Sequence, residues 1–282
     1  MKEYTKFIIT TIPFIPDLVS GVLWESNIKG IEEKETHLFV FAESTEPEIQ
    51  NNIKNILNEL RAQNLIESFE LTEEKFENKN WNEEWEKRFD IIKVTDRIVI
   101  RPAFKNYDPL ENEIVITIIP KMSFGTGEHE TTRLVLKLLD KFVHRGDRAL
   151  DVGSGTGILA IAAVKLGASS AIGIDNDEWC LLNGNENIGL NELEEQIEIR
   201  LCEIRDIRES EFDLITANIN KNILLEIAGG ISRRIKKSGT LILSGLLLED
   251  IEQVVPHYNK FGFTLLEKEQ LNEWAALVFR SE

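Results

Sequence analysis

Cysteine, histidine and long apolar runs are scarce in this chain of 282 residues. Two cysteines, Cys180 and Cys202, do not make a disulfide framework, so we expect a reducing compartment such as the cytoplasm. The four histidines are scattered without metal-ligand spacing, and we therefore expect no bound metal. No apolar run approaches the roughly 18 residues of a membrane span, and only a short one follows Lys2 and Glu3. We expect neither a membrane helix nor a secretory leader.

Positive charge is also in short supply. The chain has 32 lysine and arginine residues against 49 aspartate and glutamate residues, for a formal net charge of -17 at pH 7. Such a field repels the phosphate backbone of nucleic acids, and no long basic patch offsets it, so we expect no direct nucleic-acid readout. The charge would attract a basic partner, although it could equally serve solubility alone.

The most informative stretch that is present runs from Leu150 to Ala160 and reads LDVGSGTGILA. An apolar strand is followed by glycines at alternating positions, Gly153, Gly155 and Gly157, and the run from Ile158 predicts a buried helix. Strand, glycine-rich turn and helix form the first unit of a doubly wound α/β sheet, whose ligands bind at the carboxyl ends of the strands. Glycine lets the backbone approach a ligand, and the helix N-terminus favours an anionic group.

A second buried strand, Ala171 to Asp175, ends in an acid at the distance from the glycines at which a carboxylate binds ribose hydroxyls. This arrangement fits either a dinucleotide or S-adenosylmethionine. The dinucleotide pattern would have its third glycine where this chain has Ile158, which favours S-adenosylmethionine. A tight turn without a ligand remains the alternative.

The element pattern predicts three segments. Residues 1–72 follow the order β-α-β-β-α-β of a ferredoxin-like α+β domain. Residues 73–95 predict a charged helical linker with aromatic residues on one face: Trp81, Trp85 and Phe89. Residues 96–282 alternate strands and helices, among them a strand over residues 239–243 and a helix over residues 246–258, and end in an antiparallel strand pair. This is the Rossmann-like seven-stranded sheet of class I S-adenosylmethionine-dependent methyltransferases.

The sequence leaves two local features open. The acidic residues of the first segment could form a docking surface for a basic protein or ordinary solvated faces: Glu25, Glu46, Glu48 and Glu59. The polar loop from Lys121 to Thr132 could fold over a ligand as a lid. Thr131 or Thr132 is expected to cap the helix that follows this loop.

Four motifs occur in order along the larger segment: Phe124-Gly125-Thr126-Gly127-x-His129-x-Thr131-Thr132, Asp151-x-Gly153-x-Gly155-x-Gly157, Gly173-Ile174-Asp175 and Ala217-Asn218-Ile219. Together they closely resemble the bacterial methyltransferases that modify ribosomal protein L11. The resemblance covers about residue 96 to the C-terminus, and the N-terminal segment matches in size and element order. It implies an S-adenosyl-L-methionine cofactor and an N-terminal domain that captures the ribosomal protein. It further implies methylation of lysine side chains and of the α-amino group.

The resemblance also implies roles for individual residues. Cofactor contacts are expected from Thr132, Gly153, Gly155, Asp175 and Asn218. Asn218 is also expected to position the attacking amine.

Two motif residues keep open roles. His129 is expected either to stabilise the loop or to take part in catalysis, and Trp274 either to line the active site or to pack in the core. The run Asn218-Ile219-Asn220-Lys221 lacks the Pro-Pro-aromatic signature of enzymes that methylate nucleic-acid amines, which argues against a base as acceptor.

Three other functions remain open at this point. They are a methyltransferase of the same fold for another protein or a small amine, an NAD-dependent dehydrogenase, and a non-catalytic cofactor-binding ribosome-assembly factor. We expect a monomer.

Overall fold

The computed structural model describes residues 4–24, 28–43, 49–76, 89–121 and 124–282. The chain divides into two compact units, residues 1–87 and 88–282, and this division falls inside the segment that the sequence assigns to the linker. Several residues singled out above lie outside the described residues: Glu25, Glu46, Glu48, Trp81 and Trp85. In the described part of the chain, no helix is long and apolar enough to cross a membrane, and no group of three or more His, Cys, Asp or Glu side chains could hold a metal ion.

The N-terminal unit has the predicted element order. Its elements are β1 (Tyr4–Ile12), α1 (Pro16–Leu23), β2 (Gly30–Glu33), β3 (Leu38–Glu43), α2 (Ile49–Ala62) and β4 (Ser68–Phe76). The strands form one antiparallel sheet in the order β2-β3-β1-β4. Helix α2 buries Ile49, Ile53, Leu57 and Leu60 along one face, which packs in the core of the unit. The predicted ferredoxin-like domain is confirmed.

The larger unit contains the glycine-rich turn. Its elements are β5 (Ile92–Lys93), β6 (Ile98–Pro102), β7 (Ile114–Ile118), α3 (Glu130–Phe142), β8 (Arg148–Val152), α4 (Ile158–Lys165), β9 (Ser170–Asp175), α5 (Glu178–Leu190), β10 (Ile197–Leu201), β11 (Phe212–Asn218), α6 (Lys221–Ser232), β12 (Ile235–Leu247), α7 (Ile251–Asn259), β13 (Phe263–Leu271) and β14 (Trp274–Ser281). Seven strands form a sheet in the order β10-β9-β8-β11-β12-β14-β13, and β5, β6 and β7 form a smaller sheet. Strand β14 pairs antiparallel with β12 and β13, whereas β8 to β12 pair in parallel. This is the predicted class I methyltransferase fold.

Two apolar cores cover the two faces of this sheet. One contains residues of α3, α4 and α5, and the other contains residues of α6 and α7. Strand β8 is therefore buried on both faces from Ala149 to Val152. This burial explains why its residues there are apolar, with the exception of Asp151. The strand order reverses beside β8, so a crevice opens at the carboxyl ends of the strands.

Two boundaries differ from the sequence-based expectation. Strand β4 continues to Phe76, although residues 73–76 were expected to begin the linker. The charged side chains of Glu73 and Glu74 are tolerated because they are exposed, and Glu74 forms an ion pair with Lys6 on β1. Strand β12 runs to Leu247, since its last residues pair with β14, and α7 consequently begins at Ile251 rather than at residue 246.

Candidate functional site

The crevice at the carboxyl ends of β8, β9 and β11 holds two adjoining cavities. Their volumes are about 510 Å³ and about 260 Å³. They share five lining residues: Gly153, Asp175, Asn176, Ile219 and Ile223. Because the cavities share a wall, one elongated small molecule can occupy both.

The glycine-rich turn forms the floor of the crevice and requires glycine for steric reasons. Gly153 and Gly155 have φ angles of +76° and +54°, in the left-handed region that other residues avoid. A Cβ atom on Gly153 would lie 2.3 Å from Cγ2 of Ile219, and one on Gly155 would lie 2.4 Å from the carbonyl oxygen of Phe124. A larger residue would therefore collide with Ile219 or with Phe124 of the protein itself, and both glycines line the larger cavity.

Asp175, at the end of β9, lines both cavities with a carboxylate that the backbone orients. Its Oδ2 accepts a hydrogen bond from the amide of Gly155 at 2.9 Å, and its Oδ1 accepts one from the amide of Asp177 at 3.1 Å. Each carboxylate oxygen can accept a further hydrogen bond. The side chain can therefore bind two neighbouring hydroxyl groups such as those of ribose.

A second carboxyl group, Asp151, lies two residues before the turn and is 1% exposed. Its Oδ1 accepts a hydrogen bond from Oγ1 of Thr216 at 2.7 Å. Burial raises the pKa of Asp151 to about 7, the hydrogen bond from Thr216 opposes that rise, and the negative charge of Asp175 adds to it. Asp151 is thus a buried group that ionises near neutral pH.

Four of the five predicted cofactor residues meet on the wall of the larger cavity: Gly153, Gly155, Asp175 and Asn218. Asn218 is 7% exposed, and its Oδ1 has no hydrogen-bond partner among the described residues. Thr132 does not line the cavity, whereas its neighbour Thr131 does. The Thr132 hydroxyl is buried and likewise finds no partner in the described ranges. The contacts of all five residues with a cofactor remain predictions.

Residues 124–129, which we call the rim loop, form an aromatic wall together with Trp274. The ring centroids of Phe124 and His129 are 5.3 Å apart, and those of His129 and Trp274 are 4.8 Å apart in an edge-on arrangement. Trp274 lines the larger cavity and also packs against the core below it. Its ring therefore lies between the cavity and the core, and its part in an active site stays a prediction.

His129 additionally caps helix α3. Its Nδ1 accepts a hydrogen bond from the amide of Thr131 at 3.3 Å and lies 2.8 Å from Oγ1 of Thr131. The expectation that Thr131 or Thr132 caps this helix was wrong. The helix begins at Glu130, so both threonines already lie within its first turn.

Apart from Gly153 and Asp175, the residues that line the smaller cavity were given no role from the sequence. Cys202 and Glu203 belong to its lining, which is dominated by isoleucine side chains: Ile174, Ile204, Ile219, Ile223 and Ile227. Cys202 and Glu203 directly follow β10, and Ile219 directly follows β11. The rule that ligands bind at carboxyl ends of parallel strands would have found these three positions.

Comparison with known proteins finds clear relatives of this chain. The family model described as ribosomal protein L11 methyltransferase (PrmA) matches residues 22–282. The ribosomal protein L11 methyltransferase of Porphyromonas gingivalis (strain ATCC BAA-308 / W83) is 40% identical over 265 residues, which are 93% of this chain and 90% of that protein. The one of Clostridium botulinum (strain Eklund 17B / Type B) is 38% identical over 205 residues, 73% of this chain and 65% of that protein. Among solved structures, the ribosomal protein L11 methylase of Lactobacillus delbrueckii subsp. bulgaricus is similar with a TM-score of 0.65 and 28% identity, covering 69% of this chain and 100% of that chain.

Proposed function

The chain belongs to the ribosomal protein L11 methyltransferase family, and from this we propose that it methylates lysine side chains and the α-amino group of ribosomal protein L11. Family and fold together support an S-adenosylmethionine-dependent enzyme with this substrate protein. The observation that carries the proposal is that the glycine turn, Asp175 and Asn218 share one cavity.

The residues of the crevice fit S-adenosylmethionine, which when bound supplies the methyl group as an electrophilic sulfonium. Asp175 would hold the ribose hydroxyls, since both carboxylate oxygens keep acceptor capacity. The backbone of Gly153 and Gly155, which lines the larger cavity, would receive the methionine end. The isoleucine-lined smaller cavity suits the flat, largely apolar adenine.

The acceptor amine must be neutral when it attacks. A lysine of pKa about 10.4 is neutral once in a few thousand molecules at pH 7, which is equivalent to roughly 4–5 kcal/mol. An α-amino group of pKa about 7.7–8 needs only about 1 kcal/mol. Burial against the aromatic wall of Phe124 and Trp274 would lower the lysine pKa, because desolvation disfavours the charged form.

Asn218 is the side chain that we assign to orient this amine. Its unpartnered Oδ1 can accept a hydrogen bond from an amine N–H and so aim the nitrogen lone pair. Alignment of reactants then supplies much of the rate enhancement without a strong base.

We propose that the N-terminal unit captures the substrate protein. Its strand β4 exposes Glu70, Glu73 and Glu74, and the whole chain carries a net charge of -17, which favours a basic partner. The same negative charge repels the phosphate backbone of nucleic acids, which supports the proposal that the enzyme does not read a nucleic acid directly. We further propose that the enzyme acts in the cytoplasm, since the substrate named for its relatives is a ribosomal protein. We also propose that it acts as a monomer.

Asn218→Ala is expected to slow methyl transfer about 10- to 100-fold in single-turnover assays at saturating cofactor, because the amine loses the acceptor that orients it. The matched control is Asn185→Ala, which removes the same side chain from an exposed position on α5. An unchanged rate for Asn218→Ala would remove this residue from the acceptor site.

The function itself is tested by incubating the protein with methyl-labelled S-adenosylmethionine and unmethylated ribosomal proteins. We expect label on ribosomal protein L11, located by mass spectrometry on lysines and the α-amino group. Label on a different protein or on a small amine would show the same chemistry with another substrate. Cofactor binding without any transfer would indicate an assembly factor, and calorimetric binding of NAD instead of S-adenosylmethionine would indicate a dehydrogenase.

A further inference from the structure

Three buried asparagines follow one another at intervals of four residues on α5 and its C-cap: Asn183, Asn187 and Asn191. Their amides form hydrogen bonds with the backbone of β7 and of the residue that follows it. Among the described residues, β7 pairs only with β6 in the small sheet, and no strand lies along its other edge. The asparagines therefore satisfy backbone groups that a neighbouring strand would otherwise bind.

Asn191 serves as the comparison, because its side-chain amide bonds to the backbone of β7. Its Oδ1 accepts from the amide of Thr117 at 3.0 Å, and its Nδ2 donates to the carbonyl of Thr117 at 2.7 Å. Both hydrogen bonds of Asn191 to β7 are thus made with Thr117, as in a hydrogen-bonded residue pair of two antiparallel strands.

Asn187 divides its two hydrogen bonds between different parts of the structure. Its Oδ1 accepts from the amide of Ile119 at 2.8 Å, just beyond the end of β7. Its Nδ2 donates to the carbonyl of Thr156, inside the glycine-rich turn, at 2.9 Å. Asn187 thereby connects the strand that precedes the rim loop to the turn that forms the floor of the crevice.

Thr156 in turn holds the beginning of the rim loop. Its amide donates to the carbonyl of Phe124 at 3.0 Å, and its hydroxyl donates to the carbonyl of Gly125 at 2.6 Å. Thr156 is fully buried, so these bonds are shielded from competing water. Phe124 and His129 of the same loop line the larger cavity.

We propose that Asn187 is a positioning residue for cofactor binding, which acts through Thr156 to hold the rim loop against the glycine turn. Asn187 is fully buried and is not among the residues that line either cavity, so it acts without touching the ligand. Without its amide, the carbonyl of Thr156 and the amide of Ile119 would each lose a buried partner, and both attachments of the loop would relax. This inference rests on the proposed function, because it takes the larger cavity to be the cofactor site.

The test compares Asn187→Ala with Asn191→Ala. Both variants remove an asparagine amide that bonds to the backbone of β7 or of the residue after it, but only the first breaks a bond to the glycine turn. Asn191→Ala in addition removes the bond from Nδ2 to the carbonyl of Asn187 at 2.7 Å. Hydrogen exchange of residues 124–131 is measured in the cofactor-free protein, and the dissociation constant of S-adenosylhomocysteine is measured by calorimetry. The maximal methylation rate at saturating S-adenosylmethionine is the third readout.

For Asn187→Ala we expect rim-loop exchange to accelerate about tenfold and the dissociation constant to rise about 5- to 50-fold. The maximal rate should change by less than about threefold, since Asn187 does not contact the reacting groups. Asn191→Ala should accelerate exchange around Thr117 while leaving the rim loop and the dissociation constant as in the unaltered protein.

A second variant keeps the proposal testable should Asn187→Ala fold poorly. Thr156→Val removes the hydroxyl bond to Gly125 but keeps the carbonyl bonded to Asn187, and a weaker effect of the same direction is expected. Equal effects of Asn187→Ala and Asn191→Ala on the dissociation constant, or an unchanged rim loop in Asn187→Ala, would overturn the proposal. If the unaltered protein bound no S-adenosylhomocysteine, the proposed function would fail instead, while rim-loop exchange would still test the connection.

Discussion

Asp175→Ala is expected to raise the dissociation constant of S-adenosylmethionine about 100- to 10,000-fold, because two hydrogen bonds to a charged acceptor contribute roughly 1.5–3 kcal/mol each. The ribose hydroxyls would lose both bonds together. The substitution would also remove the acceptor of the Gly155 and Asp177 amides and thereby loosen the turn below the ligand. Isothermal titration with S-adenosylmethionine and with S-adenosylhomocysteine measures the effect.

Asp213→Ala provides the matched control for this experiment. Asp213 lies near the start of β11, at the end of the strands opposite to the crevice. Like Asp175, it accepts a hydrogen bond from a backbone amide, that of Arg148, at 3.0 Å. Its other oxygen forms an ion pair with Lys236. The two variants change the net charge equally, yet the control should bind the cofactor within about threefold of the unaltered protein. Near-normal binding by Asp175→Ala would show that the ribose is held elsewhere.

Asp151→Asn is expected to stabilise the cofactor-free protein above pH 7. The pKa of Asp151 rises from an ordinary 3.8 to about 7 on folding, chiefly because of burial. The folded protein keeps this proton while the unfolded chain releases it, so stability falls as the pH rises from about 4 to about 7. Over that interval the loss amounts to about 4 kcal/mol, at 1.36 kcal/mol for each pH unit. An asparagine cannot ionise and escapes this loss.

Urea unfolding of both proteins at several pH values between about 4 and 8 measures this difference. The free energies of unfolding should lie closest together at the acidic end and diverge in favour of Asp151→Asn as the pH rises. Thr216→Val is an independent check, because the Thr216 hydroxyl opposes the rise in the pKa of Asp151. Its removal should raise that pKa further. Stability curves that stay parallel across the range would refute a raised pKa at Asp151.

The features that the sequence predicts correctly are those encoded in short stretches of chain. Glycines at alternating positions between an apolar strand and an apolar helix allow few other conformations, so residues 150–160 are readable without a structure. The face of α2 that packs in the core is likewise set by the spacing of its isoleucine and leucine side chains.

The features that the sequence misses depend on contacts between distant segments. Strand β12 extends to Leu247 because β14 lies beside it, about thirty residues later in the chain. His129 rather than a threonine caps α3, since the first helical residue is decided by the packing of the rim loop. The smaller cavity combines residues that follow β9, β10 and β11 with residues of α6.

The amino-acid sequence by itself determined the two folds, the glycine turn and the acid at the end of β9, because each follows from local backbone preference and hydrophobic period. Only the tertiary structure decided which polar side chains line the same cavity. It left Oδ1 of Asn218 without a hydrogen-bond partner among the residues that the structure describes, and it gave Asn187 bonds to both Ile119 and Thr156. The physical reason is that hydrogen bonding and burial depend on distances in space, and these are established only when the strands are in register.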